Sequence, residues 1–269
     1  RKYFKPTLKN VMLTKKILRY VLPLLPTIMC WWLTTSSDRF FIQHYFSLSD
    51  NGIYAVAARF GAIMQIVGAI IFQAWQEMAL RQYNSPDRDK FLVNLFIMFM
   101  SIAALCFAFG LKIVYPFIVS PEYVAGIVYV FPIIASSVLY VLSNILEVGY
   151  QCSFETGRAL LGVGVSAAVN ILLNFVLIQT IGIYGVVVTS VVTYAVLLGF
   201  RIHDSRRYFK INISKMSILT VAIGAVGVFP FYFTDSVLVD VVMIMIGLAA
   251  MTLVAPRVLR SLRQSKRGS

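Results

Sequence analysis

Apolar positions in this chain run in long blocks broken by short polar segments, at roughly 18 to 46, 53 to 77, 91 to 111, 124 to 148, 159 to 179, 183 to 203, 216 to 233 and 237 to 255. Blocks near the roughly 20 residues that a helix needs to cross a bilayer predict an all-α, polytopic membrane bundle of about eight transmembrane helices. No stretch remains for a soluble domain. Within the blocks, polar residues recur at helical spacing. The first carries Thr27, Trp31, Thr34, Thr35 and Asp38, and the second carries Gln65, Gly68, Ala69, Phe72, Gln73 and Gln76. At 100° per residue, Arg59 projects about 40° from Gln73. The fourth has Ser136, Ser137, Tyr140, Ser143, Asn144 and Glu147, and the fifth has Gly162, Ser166, Asn170 and Asn174 at four-residue steps. The stripe of the fourth reads as either a wet cavity wall or interhelical hydrogen bonding, whereas the small groups of the fifth fit close packing. Pro23, Pro26 and Pro132 each remove a helix hydrogen bond and mark expected bends.

Charge placement gives an orientation. With the N-terminus on the cytoplasmic side, 21 of the 24 Lys and Arg residues, Arg158 and Arg201 among them, fall in cytoplasmic segments. Lys112 is left in an outer loop, and Arg39 and Arg59 lie within spans. An even number of spans then places both ends in the cytoplasm. The net charge of +13 is spread over loops that alternate with spans, which fits positive-inside retention and anionic lipid headgroups as partners rather than nucleic acid.

The composition, 59% hydrophobic, leaves little room for catalytic chemistry. Cys30, Cys106 and Cys152 have no metal-ligand spacing and read as small buried hydrophobes. His44 and His203 lack partners at ligand spacing, and no nucleophile elbow, P-loop or dinucleotide fingerprint appears. The expectation is a transporter with no cofactor and no metal centre, not an enzyme. The short outer loops, about 6, 12, 3 and 3 residues, offer no surface for glycan chemistry.

The order Pro23-Leu-Leu-Pro26, Ser37-Asp38-Arg39-Phe40 and Asp50-Asn51-Gly52-Ile53-Tyr54-Ala55 resembles the start of the second lobe of Wzx-type oligosaccharide flippases. Asn170 to Ile178, followed by Gly182-Ile-Tyr-Gly185-Val-Val-Val-Thr189-Ser190, resembles the paired helices that close that lobe. The family belongs to the multidrug/oligosaccharidyl-lipid/polysaccharide exporter superfamily. The resemblance implies a basic cytoplasmic linker over 1–17, a six-helix C-terminal lobe over 18–203, a basic loop over 204–215, two additional helices over 216–255 and a basic tail over 256–269. The chain, which begins Arg1-Lys2-Tyr3, then reads as the C-terminal part of a longer protein in a bacterial inner membrane. The implied substrate is an oligosaccharide on polyprenyl diphosphate, with membrane lipids and other polysaccharide-assembly proteins as further partners.

Intramembrane charge marks the candidate site, because a charged side chain in hydrocarbon is costly and normally faces a bundle interior or a wet cavity. Counted from Phe46, Arg39 lies about 10 Å deep; counted from Ile53, Arg59 lies about 9 Å deep. Two guanidiniums at one level suit a diphosphate, which accepts their planar forks. The competing reading is that Asp38 neutralises one of them as a structural pair, or that they snorkel to the interface. Asp38, Gln65, Gln73, Tyr140, Asn144 and Glu147 are the further candidates for cavity lining or for a coupled cation, with H+ and Na+ both open. A multidrug antiporter of the same superfamily and a non-transporting membrane subunit stand as alternatives.

Overall fold

A computed structural model describes residues 8–81, 86–207 and 213–267, with side chains over 13–77, 93–207 and 213–252. The expected positions Arg1, Lys2 and Lys5, and part of the basic loop near 208–212, lie outside the described residues, as do the side chains of the C-terminal tail. The described chain is helical, with α1 (Leu8–Val21), α2 (Leu24–Tyr45), α3 (Leu48–Arg81), α4 (Pro86–Ile118), α5 (Ile127–Cys152), α6 (Thr156–Ile181), α7 (Ile183–Ser205), α8 (Lys215–Val226), α9 (Val228–Phe233) and α10 (Val237–Arg267). Seven segments among the described residues are long and apolar enough to cross a membrane. The eighth expected span corresponds to the start of α10, whose described apolar part, Val237–Thr252, is shorter. The chain is a multi-pass membrane protein.

Local chemistry moves several expected boundaries. Leu22 and Pro23 divide the first apolar block, because Pro23 cannot continue α1 and instead sits at the start of α2. Thr27 donates its hydroxyl back to the Pro23 carbonyl at 2.8 Å. The loop expected at residues 47 to 52 shrinks to Phe46 and Ser47. Ser47 and Asp50 explain this with a reciprocal cap: the Ser47 N–H and hydroxyl donate to Asp50 Oδ2 at 3.1 and 2.6 Å, and the Asp50 N–H donates to Ser47 Oγ at 3.1 Å. Instead of a twelve-residue outer loop, α4 continues to Ile118 and a 3-10 turn spans Pro121–Gly126. The seventh block breaks between α8 and α9 at Gly227, where Pro230 removes a donor three residues on.

At the centre stands α5, buried along most of its length and packed by α3 and α7 on its flanks and by α4. In turn, α6 pairs with α7 and carries α2, while α8 and α10 lie against α4. The α3–α5 seam is tight at Gly68, where a Cβ would run into the side chain of Val141. A single residue, Gly182, joins α6 to α7 at φ +65, a left-handed conformation that glycine adopts without a steric penalty. Lys112, expected in an outer loop, belongs to α4. Its ammonium donates to the Phe231 carbonyl at 2.8 Å and to that of Thr234, and lies 3.5 Å from Asp240 Oδ1. It thereby ties the α9–α10 junction to α4.

Candidate functional site

The largest set of buried polar groups among the described residues lies on α2, α5, α6 and α7, joined by Tyr54 of α3. The stripe Thr27, Thr34, Ser37, Asp38 and Ile42 forms the buried face of α2. Asp38 is 7% exposed. Its Oδ1 accepts from Asn174 Nδ2 of α6 at 2.8 Å; its Oδ2 accepts from Ser190 Oγ of α7 at 2.8 Å and from Tyr54 Oη at 3.1 Å. Asn170 Oδ1 takes the hydroxyl of Ser37 at 2.6 Å and an N–H of Asn174 at 3.3 Å. The four-residue spacing of Asn170 and Asn174 places both on the face that meets α2. Expected as a packing surface, this face also serves the carboxylate.

All these donors are neutral, so no cation among the described residues pairs with Asp38. Its neighbour Arg39 projects about 100° away on the helix and is exposed, as is Arg59 on α3. The structural-pair reading of Asp38 with either arginine therefore fails in this geometry. The two asparagines beside the carboxylate also keep buried polar atoms without partners, Asn174 Oδ1 and Asn170 Nδ2. A buried carboxylate held only by neutral groups is expensive unless a proton or a cation joins it. Its surroundings offer hard oxygen atoms, of the type that alkali and alkaline-earth cations take. Among the described residues no group of three or more His, Cys, Asp or Glu could hold a metal ion, so a cluster-type metal site is absent from them.

Towards the other end of the lobe, Trp31 of α2, Tyr140 of α5 and Tyr194 of α7 form an aromatic layer. Ring centroids are 5.0 Å apart for Trp31–Tyr140, 5.4 Å for Tyr140–Tyr194 and 6.3 Å for Trp31–Tyr194. The layer rests on Val163 and Leu197. Beyond it lies Arg201 of α7, which the charge count assigns to a cytoplasmic segment. It is instead inside the helix and 0% exposed. Its guanidinium donates to Asn144 Oδ1 at 3.1 Å and Glu147 Oε2 at 2.9 Å, with a longer contact to Ser143 Oγ at 3.4 Å. Thus the α5 stripe that ends in Glu147 binds an arginine of the same lobe. At the edge of the bundle Arg158 bridges Glu155 at 2.8 Å and Asp204 at 2.9 Å.

On α3 the expected polar face divides. Gln65 donates to Ser137 Oγ at 3.4 Å and Gln76 to Gln151 Oε1 at 2.6 Å, both towards α5. Gln73, like Arg59, is exposed. Neither α2 nor α3 packs mainly on the other: α2 rests on α6 and α3 on α5. Because α3 starts at Leu48, Arg59 lies eleven residues into its helix and Arg39 six residues from the end of α2. The two levels differ by about 7 Å at 1.5 Å per residue, a correction to the single level expected.

Arg201 and the donors to Asp38 are missing from the sequence-based candidates. Arg201 sits two residues before the charge run that begins at His203-Asp204, and this hides it. Asn174 is visible in the sequence only as part of a packing face, and Ser190 only as part of the resemblance to the helices that close the lobe.

No protein-family model matches the chain, and no curated protein matches it in sequence. Solved structures do match in fold. A lipid II flippase, MurJ, in its inward closed conformation superposes with a TM-score of 0.68 at 14% identity over 96% of this chain and 57% of that one. A Vibrio cholerae MATE transporter, VcmN, in the bent form gives 0.60 at 16% identity over 94% and 58%. An outward-facing multidrug resistance MATE family transporter of the MOP superfamily gives 0.59 at 14% identity over 81% and 52%. The chain thus spans between half and three fifths of the length of these structures. It has the helical-bundle fold of the MOP superfamily transporters.

Proposed function

We propose that this chain is the C-terminal part of a flippase that carries a polyprenyl-diphosphate-linked oligosaccharide from the inner to the outer leaflet of a bacterial inner membrane. In this reading α2 to α7 form the lobe, α8 to α10 are appended, and both ends are cytoplasmic. The observation that carries it is the exposure of Arg39 and Arg59 on apolar helices whose opposite sides are packed against the lobe. A guanidinium turned to lipid costs about 2.5–3.5 kcal/mol at mid-membrane on insertion scales. Facing a wet cavity shared with the rest of the transporter, the same groups hold an anion, and their stagger is one that two extended side chains cover. Export of a negative charge from a negative interior is also favoured, by about 2.3 kcal/mol per charge per 100 mV.

Asp38 is the coupling site in this scheme. A proton or Na+ that neutralises it changes the hydrogen bonds that join α2 to α3, α6 and α7. The two arginines bind substrate and Asp38 binds the ion, so alternating access of the kind built from opposed repeats links the two. A multidrug antiporter is the second reading, favoured by the one buried carboxylate that lacks a cationic partner among the described residues.

Arg39→Ala, Arg59→Ala and the double variant, each with its Lys counterpart, test the proposal in the full-length protein. Surface polysaccharide is assayed in a flippase-null host at matched membrane levels. The double Ala variant is expected to export less than about a tenth of wild type, with partial rescue by Lys. Wild-type export from it sinks the flippase reading; retained resistance to cationic drugs that depends on Asp38 supports the antiporter.

A further inference from the structure

The end of the lobe where α1 meets the α5–α6 turn holds a cleft of about 900 Å³, lined by Lys16, Arg19, Tyr20, Phe154 and Arg158 and by the carboxylates Glu155 and Asp204, among others. The turn is unusual. Phe154 has φ 59, a left-handed conformation that an aromatic residue adopts only under constraint. In this conformation its ring meets Tyr20 edge-on at 5.4 Å and lies 5.0 Å from the ammonium of Lys16. The Thr156 hydroxyl donates to the Tyr20 carbonyl at 2.7 Å and closes the same junction. A strained turn, a ring pair and a side-chain bond therefore fix α1, and its basic residues, over the cleft.

The charges there are unequal in their commitments. The guanidinium of Arg158 is shared between Glu155 and Asp204. Lys16 and Arg19 have no carboxylate partner among the described residues and are exposed. On its other side, α1 presents Leu13, Ile17, Leu18 and Val21, each 42 to 59% exposed. A helix with basic residues beside an unpartnered apolar face lies in a membrane interface, its charges level with the lipid phosphates.

We infer that this cleft binds the phosphate of an anionic lipid headgroup in the adjacent leaflet, held by Lys16 and Arg19 with Tyr20 and Phe154 as its walls. The ligand is a resident phospholipid, and the inference is independent of what the transporter carries. Its role is to anchor α1, and through Pro23 the start of α2, to the bilayer surface.

Full-length protein in nanodiscs tests it, with native mass spectrometry counting retained phosphatidylglycerol against phosphatidylcholine. Wild type is expected to retain phosphatidylglycerol selectively. Each of Lys16→Gln and Arg19→Gln weakens retention about five-fold, and the pair about thirty-fold, from the roughly 1 kcal/mol that each surface cation contributes. Lys15→Gln removes the same charge from the same helix but not from the cleft, and is expected to change retention less than two-fold. Equal weakening by Lys15→Gln, or retention of both lipids alike, overturns the inference. The melting temperature of every variant is measured alongside, and the single variants carry the test should the double one fold poorly.

Discussion

Asn174 donates to the carboxylate of Asp38 at 2.8 Å across the α2–α6 interface, while the adjacent Arg39 turns to the exposed side. The pair leaves Asn174 Oδ1 without a donor. Removing the amide by Asn174→Leu takes one neutral donor from a buried charge. A loss of about 1–3 kcal/mol is expected, read as a lower melting temperature in detergent.

Ion linkage gives a second expectation. A ligand that binds only the folded state stabilises it by RT ln(1 + [L]/Kd), about 2.7 kcal/mol at a hundred times Kd. The wild-type melting temperature should rise with Na+ or with acid, whichever is the coupled ion, and Asp38→Asn should flatten that dependence. A slope unchanged in Asp38→Asn places the ion elsewhere.

Arg201 and Glu147 form a buried pair, and breaking such a pair from one side leaves a charge uncompensated, at a cost of about 3–5 kcal/mol. Glu147→Leu alone should therefore destabilise strongly. Arg201→Met added to it should recover most of the loss. A double-mutant cycle on thermal unfolding measures the coupling.

The α9–α10 junction depends on Lys112. Lys112→Met keeps the volume of the stem but removes the ammonium that serves Phe231, Thr234 and Asp240. Faster proteolysis at the 234–236 connection is expected, with cleavage elsewhere unchanged.

Much of the fold is legible in the sequence because apolar block length is set by the bilayer and changes little with packing. Helix ends are not, since they turn on single contacts such as the Ser47–Asp50 cap and the Lys112 bonds. Part of the site is legible too. The stripes that end in Asp38 and Glu147 are visible as polar residues at helical spacing, and both are buried or half-buried on inner faces. Their partners are not visible, because Asn174 and Arg201 lie more than fifty residues from them in the chain and only the bundle brings them together. Arg201 shows the limit of charge counting: a cation near a helix end looks like a loop residue until a carboxylate and an amide on another helix enclose it.

The break at Pro23 has a mechanical side. With α1 fastened to the α5–α6 turn, α2 is a rod hinged at one end, and Asp38 sits fifteen residues along it, about 22 Å from the hinge. A swing of only about 5° at the proline carries the carboxylate through about 2 Å, more than the tolerance of a hydrogen bond. The lobe thus has a long lever gripped at Asp38 by three neighbouring helices. If Asp38 is the coupling site proposed above, neutralising it would loosen that grip two thirds of the way along the lever.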